Sequence, residues 1–185
     1  MKCIETKRLL LRTWEQGDDG TLYQINQDPK VIEFVPPLSM EQTKKFIVSC
    51  NDHSDKLGYT IWATCLKETA ELIGFIGLRS VSWEAHFTPA VEIAWRLGSQ
   101  HWGKGYATEG AKASLAIGFN KYNLNKIVSF TVPKNIRSIR VMEKIGMHRV
   151  KDGDFAHPKL SPDHPLSKHV LYEINREDFK SPVVL

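Results

Sequence analysis

Residues 98 to 111 read GSQHWGKGYATEGA, in which Gly103 and Gly105 flank Lys104 and lead into a helix-forming run. Glycines let a backbone approach an anion closely, and the unpaired amides of a helix's first turn converge on it, helped by about half a positive charge from the dipole. The chemistry on offer is phosphate binding, and three forms of it compete. A Walker loop needs GxxxxGK followed by Ser or Thr, and Gly98, Gly103 and Lys104 fit, but Gly105 stands where the magnesium-binding hydroxyl belongs. That near-match keeps a nucleotide hydrolase among the readings but removes its metal chemistry. A dinucleotide fingerprint needs GxGxxG at the head of a parallel βαβ unit; Thr108 replaces the third glycine, and the loop follows strands joined by hairpin-like connections. The third form needs only a strand, a glycine turn and a helix N-terminus, and this pattern supplies all three. A tight turn that binds nothing has the same signature.

Two further stretches concentrate aromatic and titratable side chains. Trp83, Glu84, His86 and Phe87 precede the strand-like VEIAWRL, and Phe155, His157, Asp163 and His164 lie in the proline-rich DGDFAHPKLSPDHPLS. A connection of that length is more often functional than neutral. His157, His164 and His169 match no common metal-ligand spacing, so no metal is expected.

These residues must be positioned by regular elements. RLLLRTW (8–14) reads as a strand, DDGTLYQINQD (18–28) as a short helix, and Ser39 with Gln42 three residues on as the capping box of another. YTIWATCL (59–66) and ELIGFIGLRSV (71–81) are β-rich runs joined by KETA, which predicts an antiparallel hairpin. VEIAWRL (91–97) alternates Val91, Ile93, Trp95 and Leu97 with Glu92, Ala94 and Arg96, so one face is core and Glu92 points away from it. Ala107, Ala111, Leu115 and Gly118 predict a helix over 107–121 with small residues on its packing face. KIVSFTV (126–132) is a strand; Asn135 caps a helix carrying Ile136, Ile139 and Met142 on one side and ending near Gly146; GMHRV and KHVLYEI (168–174) supply the last two strands.

At 185 residues and 42% hydrophobic, the chain has the material for one domain, 1–185, with a real core. The net charge of +4 is spread along the chain, which favours a small polyanionic ligand at least as much as nucleic acid, and no nucleic-acid partner is expected. Cys3, Cys50 and Cys65 form no CxxC, which predicts a reducing, cytoplasmic compartment. No apolar run approaches the about 18–20 residues of a membrane span, so no membrane partner is expected.

Taken together, EIAWRLGSQHWGKGYATEGA, SFTVPKNIRSIRVMEKIGM and ETKRLLLR resemble the GNAT superfamily of acetyl-CoA-dependent N-acetyltransferases, most closely its RimJ/RimL-like branch. The similarity runs from about residue 5 to residue 175 in the family's order and spacing. It implies an α+β three-layer fold: a mixed, mostly antiparallel seven-stranded sheet with helices on both faces. The fourth and fifth strands, here VEIAWRL and KIVSFTV, would splay apart to admit acyl-CoA. By position, the backbone of Trp95, Arg96 and Leu97 would pair with the pantetheine arm, and Gly103, Lys104, Gly105, Tyr106, Ala107 and Thr108 would hold the pyrophosphate. Asn135 would bond the pantetheine from the other lip. Trp102 departs from the superfamily pattern, which has Gln or Arg there.

The same resemblance implies direct attack of a primary amine, on a small molecule or a protein N-terminus, upon the thioester. Glu92 is the candidate base that takes the amine's proton, and Ser138 would sit near the thioester sulfur. The tyrosine that many members offer to the leaving thiolate is Met142 here. A non-catalytic acyl-CoA-binding or sensing module on the same fold therefore stays open, as does a homodimer. The family's acceptor site borders the first two helices and the two aromatic stretches, so Trp83, His86, Phe87, Phe155 and His157 are candidate acceptor-pocket residues. An aromatic and acidic lining there would suit a cationic amine.

Overall fold

The computed structural model describes residues 3–180. In chain order the elements are β1 (Cys3–Glu5), β2 (Leu9–Arg12), α1 (Asp18–Ile25), α2 (Met40–Leu57), β3 (Ile61–Leu66), β4 (Leu72–Ser80), β5 (Val91–Leu97), α3 (Tyr106–Asn120), β6 (Lys126–Thr131), α4 (Ile136–Lys144), β7 (His148–Arg149), β8 (Phe155–Ala156) and β9 (Lys168–Asn175). The strands lie in the order β1-β2-β3-β4-β5-β6-β9-β7, with β8 also on β9. All seven expected strands are present, and the short β1 and β8 bring the sheet to nine among the described residues. Among the described residues, only β5 and β6 pair in parallel. The crossover that joins them is α3, as a parallel pair requires.

Helices cover both faces. On one face α3 packs against β2, β4 and β5, and α4 against β6. Ile93 and Leu97 of β5 are buried there with Leu9, Ile76, Leu115 and Ile127. The small residues of α3 set its distance from the sheet: a Cβ on Gly110 would stand 2.5 Å from Ile76 Cδ1, closer than packed carbons approach.

On the other face α1 packs against α2 and β4. The Trp14 indole donates to the Ile61 carbonyl at 2.9 Å, and Asn51 of α2 closes two hydrogen bonds with the Trp14 backbone. Arg12 holds the start of α1 through a forked pair with Asp18 at 2.7 and 2.9 Å. Ser39 and Gln42 form the expected capping box.

Glu92 points away from the α3 core, as its place in the alternation predicts, but this second layer covers it. The sheet face opposite the α3 core is also covered, so Glu92 is only 8% exposed, and Ala94 packs beside Phe75 and Ile61. Period-two alternation distinguished the more apolar face; it carried no information about what stands over the other.

The parallel pair is short. β5 and β6 register only at Val91 with Ile127 and Glu92 with Val128, whereas β5 follows β4 along its full length and β6 follows β9 likewise. Beyond Glu92 the two strands part. Among the described residues, no helix is long and apolar enough to cross a membrane.

Because α3 lies against Ile76, Gly110→Val should lower the unfolding free energy by about 1–3 kcal/mol through overpacking. Urea denaturation followed by circular dichroism measures it, and an unchanged midpoint would show that α3 does not set this spacing.

Candidate active site at the strand gap

Two cavities open where β5 and β6 diverge. The first, of about 290 Å³, runs between Trp95, Arg96 and Leu97, the turn ahead of α3, and the first turns of α4. Its wall includes an unpaired backbone edge. Gly98 N–H donates to the Ile73 carbonyl at 2.9 Å, which sets the phase of the β4 and β5 ladder. Alternate residues of a strand address opposite neighbours, so Glu92, Ala94 and Arg96 direct their backbone groups to β4. Ile93, Trp95 and Leu97 direct theirs to the side that β6 has left. The register of Glu92 with Val128 still engages the Ile93 N–H, and the Leu97 carbonyl is taken by the Trp102 indole N–H at 2.8 Å, which leaves the Ile93 carbonyl, both backbone groups of Trp95 and the Leu97 N–H open.

At the end of that edge lies the glycine turn. Gly105 has φ of 83° and is the N-cap of α3 without a side-chain cap, so the amides of Tyr106, Ala107 and Thr108 have no partner within the helix. All three residues line the cavity with Gly103 and Gly105. Lys104 does not line it: its side chain is exposed and its carbonyl accepts from Arg8 Nη1 at 2.9 Å. The turn is fixed from outside by Glu109, whose carboxylate accepts from Arg8 Nε at 2.7 Å, the Arg8 amide at 2.8 Å and Thr6 Oγ1 at 2.7 Å. Those contacts hold the Glu109 carboxyl below its ordinary range despite partial burial. The Arg8 guanidinium also lies over the Tyr106 ring at 4.5 Å. Trp102 now has a purpose: it ties the turn to Leu97, and its ring carries the Arg137 guanidinium at 4.5 Å, itself paired with Glu33 at 2.8 Å.

The second cavity, of about 460 Å³, lies on the α1 and α2 face. Phe34, Val35, Trp95, Arg96, Asn135 and Ser138 line both cavities, so the two meet at the gap. Glu92 lines the second and pairs with Arg79 at 3.3 Å. Burial pushes the Glu92 carboxyl above its usual value, and Arg79 opposes that shift. His157 and His169 line the same wall, with ring centroids 5.2 Å apart. Burial, His169 and the nearby cations push His157 down to about 4. Its Nδ1 accepts from the Lys159 amide at 3.3 Å, so the neutral ring presents Nε2–H. Burial likewise lowers His169, whose Nδ1 faces the Ser167 carbonyl at 3.0 Å.

The five candidate acceptor residues converge from two loops. Trp83 lies 5.6 Å from Phe87, 5.7 Å from Phe155 and 5.0 Å from His157, and His86 lies 5.3 Å from Phe87. Of the five, only His157 lines the cavity; Trp83, Phe87 and Phe155 pack on Phe130, which does line it, and His86 packs on Phe87 and Phe155. Glu84, Asp163 and His164 are exposed and line neither cavity. Asn135 caps α4, its Oδ1 accepting from the Ser138 amide at 3.3 Å, while its Nδ2 donates to Thr131 Oγ1 at 3.0 Å and Ser138 Oγ at 3.1 Å. Met142 is 1% exposed and closes the cavity floor. Among the described residues, no group of three or more His, Cys, Asp or Glu is arranged to hold a metal.

Sequence reasoning missed Arg79, Phe130, His169 and Asn26 at the site, and Glu109 behind the turn. Arg79 carried a usable signal, since its position in an antiparallel hairpin sets it opposite Glu92. Asn26 did not, because nothing local ties the end of α1 to Arg96.

Residues 8–148 match the family described as Acetyltransferase (GNAT) domain. The chain is 35% identical over 150 residues to YkkB of Bacillus subtilis, covering 80% of this chain and 86% of that one. It is 36% identical over 149 residues to the N-acetyltransferase YnaD of the same organism, covering 79% and 82%. It is also 29% identical over 93 residues to the FsC-acetyl coenzyme A-N(2)-transacetylase of Aspergillus fumigatus, half of this chain and 39% of that one. A crystal structure of a GNAT-family acetyltransferase from Bacillus anthracis superimposes with a TM-score of 0.75 at 29% identity, covering 95% and 99% of the two chains. The chain belongs to the GNAT acetyltransferase family and is an acyltransferase.

Because His157 is held near 4, its ring resonances in an NMR titration should not move between about pH 5.5 and 8, the window in which an ordinary histidine titrates. A midpoint near 6.5 would place the ring in solvent rather than in the cavity wall.

Proposed function

We propose that the protein transfers an acetyl group from acetyl-CoA to a primary amine, on a small molecule or a protein N-terminus, by direct attack on the thioester. The observation that carries this reading is the unpaired backbone edge of β5, with a helix N-terminus at one end and a buried carboxylate at the other. The residues fit the donor. The open Ile93 carbonyl, the two backbone groups of Trp95 and the Leu97 N–H offer a strand-like edge to an amide-bearing arm, and the free amides of Tyr106, Ala107 and Thr108 suit a pyrophosphate. The name of the Aspergillus relative supports acetyl-CoA as donor. The resemblance of the three sequence segments supports membership of the RimJ/RimL-like branch.

Acetyl-CoA supplies the activated acyl carbon; the chain's own residues handle the proton and the geometry. An attacking amine must be neutral, and Glu92, held above its ordinary pKa, is a stronger base than a solvated carboxylate. Neutral His157 and His169 add a hydrogen-bond donor and acceptor to the wall without adding charge. As the new C–N bond forms and the C–S bond breaks, the amine's proton passes to Glu92, directly or through water. Ser138 lines both cavities, which supports its hydroxyl as a donor toward the departing sulfur. Met142 cannot replace a tyrosine there, but a thiolate of pKa near about 8–9 leaves with little help.

Glu92→Gln should lower turnover by about 10²–10⁴-fold with a validated amine. The acid limb of the pH profile should lie above the ordinary carboxylate range. Arg79 lowers the Glu92 pKa, so Arg79→Gln should move that limb to still higher pH. Unchanged turnover in the first variant, or a limb that stays in place in the second, would remove Glu92 from the role of base.

A further inference from the structure

We infer that the acceptor is an amine that also carries an anionic group, a carboxylate or a phosphate, bound by Arg96 on the acceptor side of the gap. This inference rests on the proposed function. The expectation of an acidic lining is not met by the cavity. Among the described residues that line it, the charged ones are Arg79, Arg96, Lys159 and Glu92. Arg79 is paired with Glu92, which leaves two cations facing the cavity without a carboxylate.

Arg96 is the more informative of the two. Its hydrogen bond goes from Nη1 to the neutral amide oxygen of Asn26, a residue with no exposed surface, and its guanidinium lies 5.5 Å from the Phe75 ring centroid. Phe75 lines the second cavity and not the first, so the guanidinium sits on the acceptor side and away from the glycine turn. Burial and Arg79 push Arg96 down to about 10, the shift expected of a cation without a counter-ion. Holding a cation in a partly dry site without a partner is costly, and a guanidinium with spare N–H groups is matched in shape by carboxylate or phosphate oxygens.

Arg96 shares the polar face of β5 with Glu92, four residues along the same strand. One small molecule can therefore place its amine toward Glu92 and its anion toward Arg96, with its body against Phe46 and Phe75. Lys159, on the loop across the cavity, adds attraction from the opposite wall. A polycation would meet an uncompensated positive field in the same space.

The test compares matched amines that differ only in the anion: phenylalanine with phenethylamine, 4-aminobutyrate with butylamine, and phosphoethanolamine with ethanolamine, with spermidine as the polycation. In a thiol-release assay with acetyl-CoA, at least one pair should favour its anionic member by about 10- to 100-fold in kcat/KM. Arg96→Gln, checked for folding by circular dichroism, should reduce that ratio to within about 2-fold, and Lys159→Gln should reduce it less. Preference for spermidine or the neutral amines, or a ratio that Arg96→Gln leaves intact, would overturn the inference. Calorimetric binding of N-acetylphenylalanine and N-acetylphenethylamine to the CoA-loaded protein separates the two claims. Charge-selective binding with no amine turned over supports the anion site and overturns the transferase reading. Turnover with charge-blind binding does the reverse.

Discussion

The structure depends on how briefly β5 and β6 pair. Two registered residue pairs hold them, and then each strand follows its own antiparallel partner, β4 on one side and β9 on the other. A sheet edge that would elsewhere be satisfied is left open inside the molecule, where leaving polar backbone groups unpaired is unfavourable. The same parallel pairing requires a crossover helix, and a crossover leaves from the C-terminal end of the first strand. The glycine turn and the N-terminus of α3 are thereby delivered to the mouth of the gap. An acyl donor that brings amides for the strand edge and phosphates for the helix end would satisfy both at once.

The charges around the gap are disposed so that each part has a distinct job. Glu109 binds Arg8 and Thr6 outside the turn and holds it in shape, so the inward amides stay free. On the far side, Arg79 moderates the burial of Glu92 without matching it, and the carboxyl remains raised. A more exposed carboxylate would be a weaker base, and one buried with no cation near would stay protonated. Trp102 couples the two lips: it bonds Leu97 of β5 and carries Arg137 of α4, which reaches Glu33 ahead of α2.

Much of this scaffold was legible because its signals are local. The alternation of 91–97 marks the strand, the Ser39 to Gln42 spacing marks a helix start, and Asn135 caps α4 as its residue type predicts. The gathering of Trp83, His86, Phe87, Phe155 and His157 was also foreseeable as a family trait, though which of them faces the cavity was not. Facing is decided by loop geometry and by neighbours such as Phe130, at which the loop sequences do not hint. The charge of the second cavity was misread for a related reason. Glu84 and Asp163 are exposed, whereas the cations that line the wall sit on β4, β5 and the proline-rich loop, where a sequence shows them as ordinary solvent-facing positions.

Family membership rests on the match over residues 8–148, while the assignment of the gap to acetyl-CoA rests on its backbone chemistry. Amide hydrogen exchange, resolved by residue with and without acetyl-CoA, tests that assignment most directly. The donor should slow exchange at Trp95 or Leu97 and at Tyr106 to Thr108, while the Arg96 amide, already bonded to β4, should change little. Protection confined to other segments, with Trp95, Leu97 and the first turn of α3 unaltered, would contradict the account.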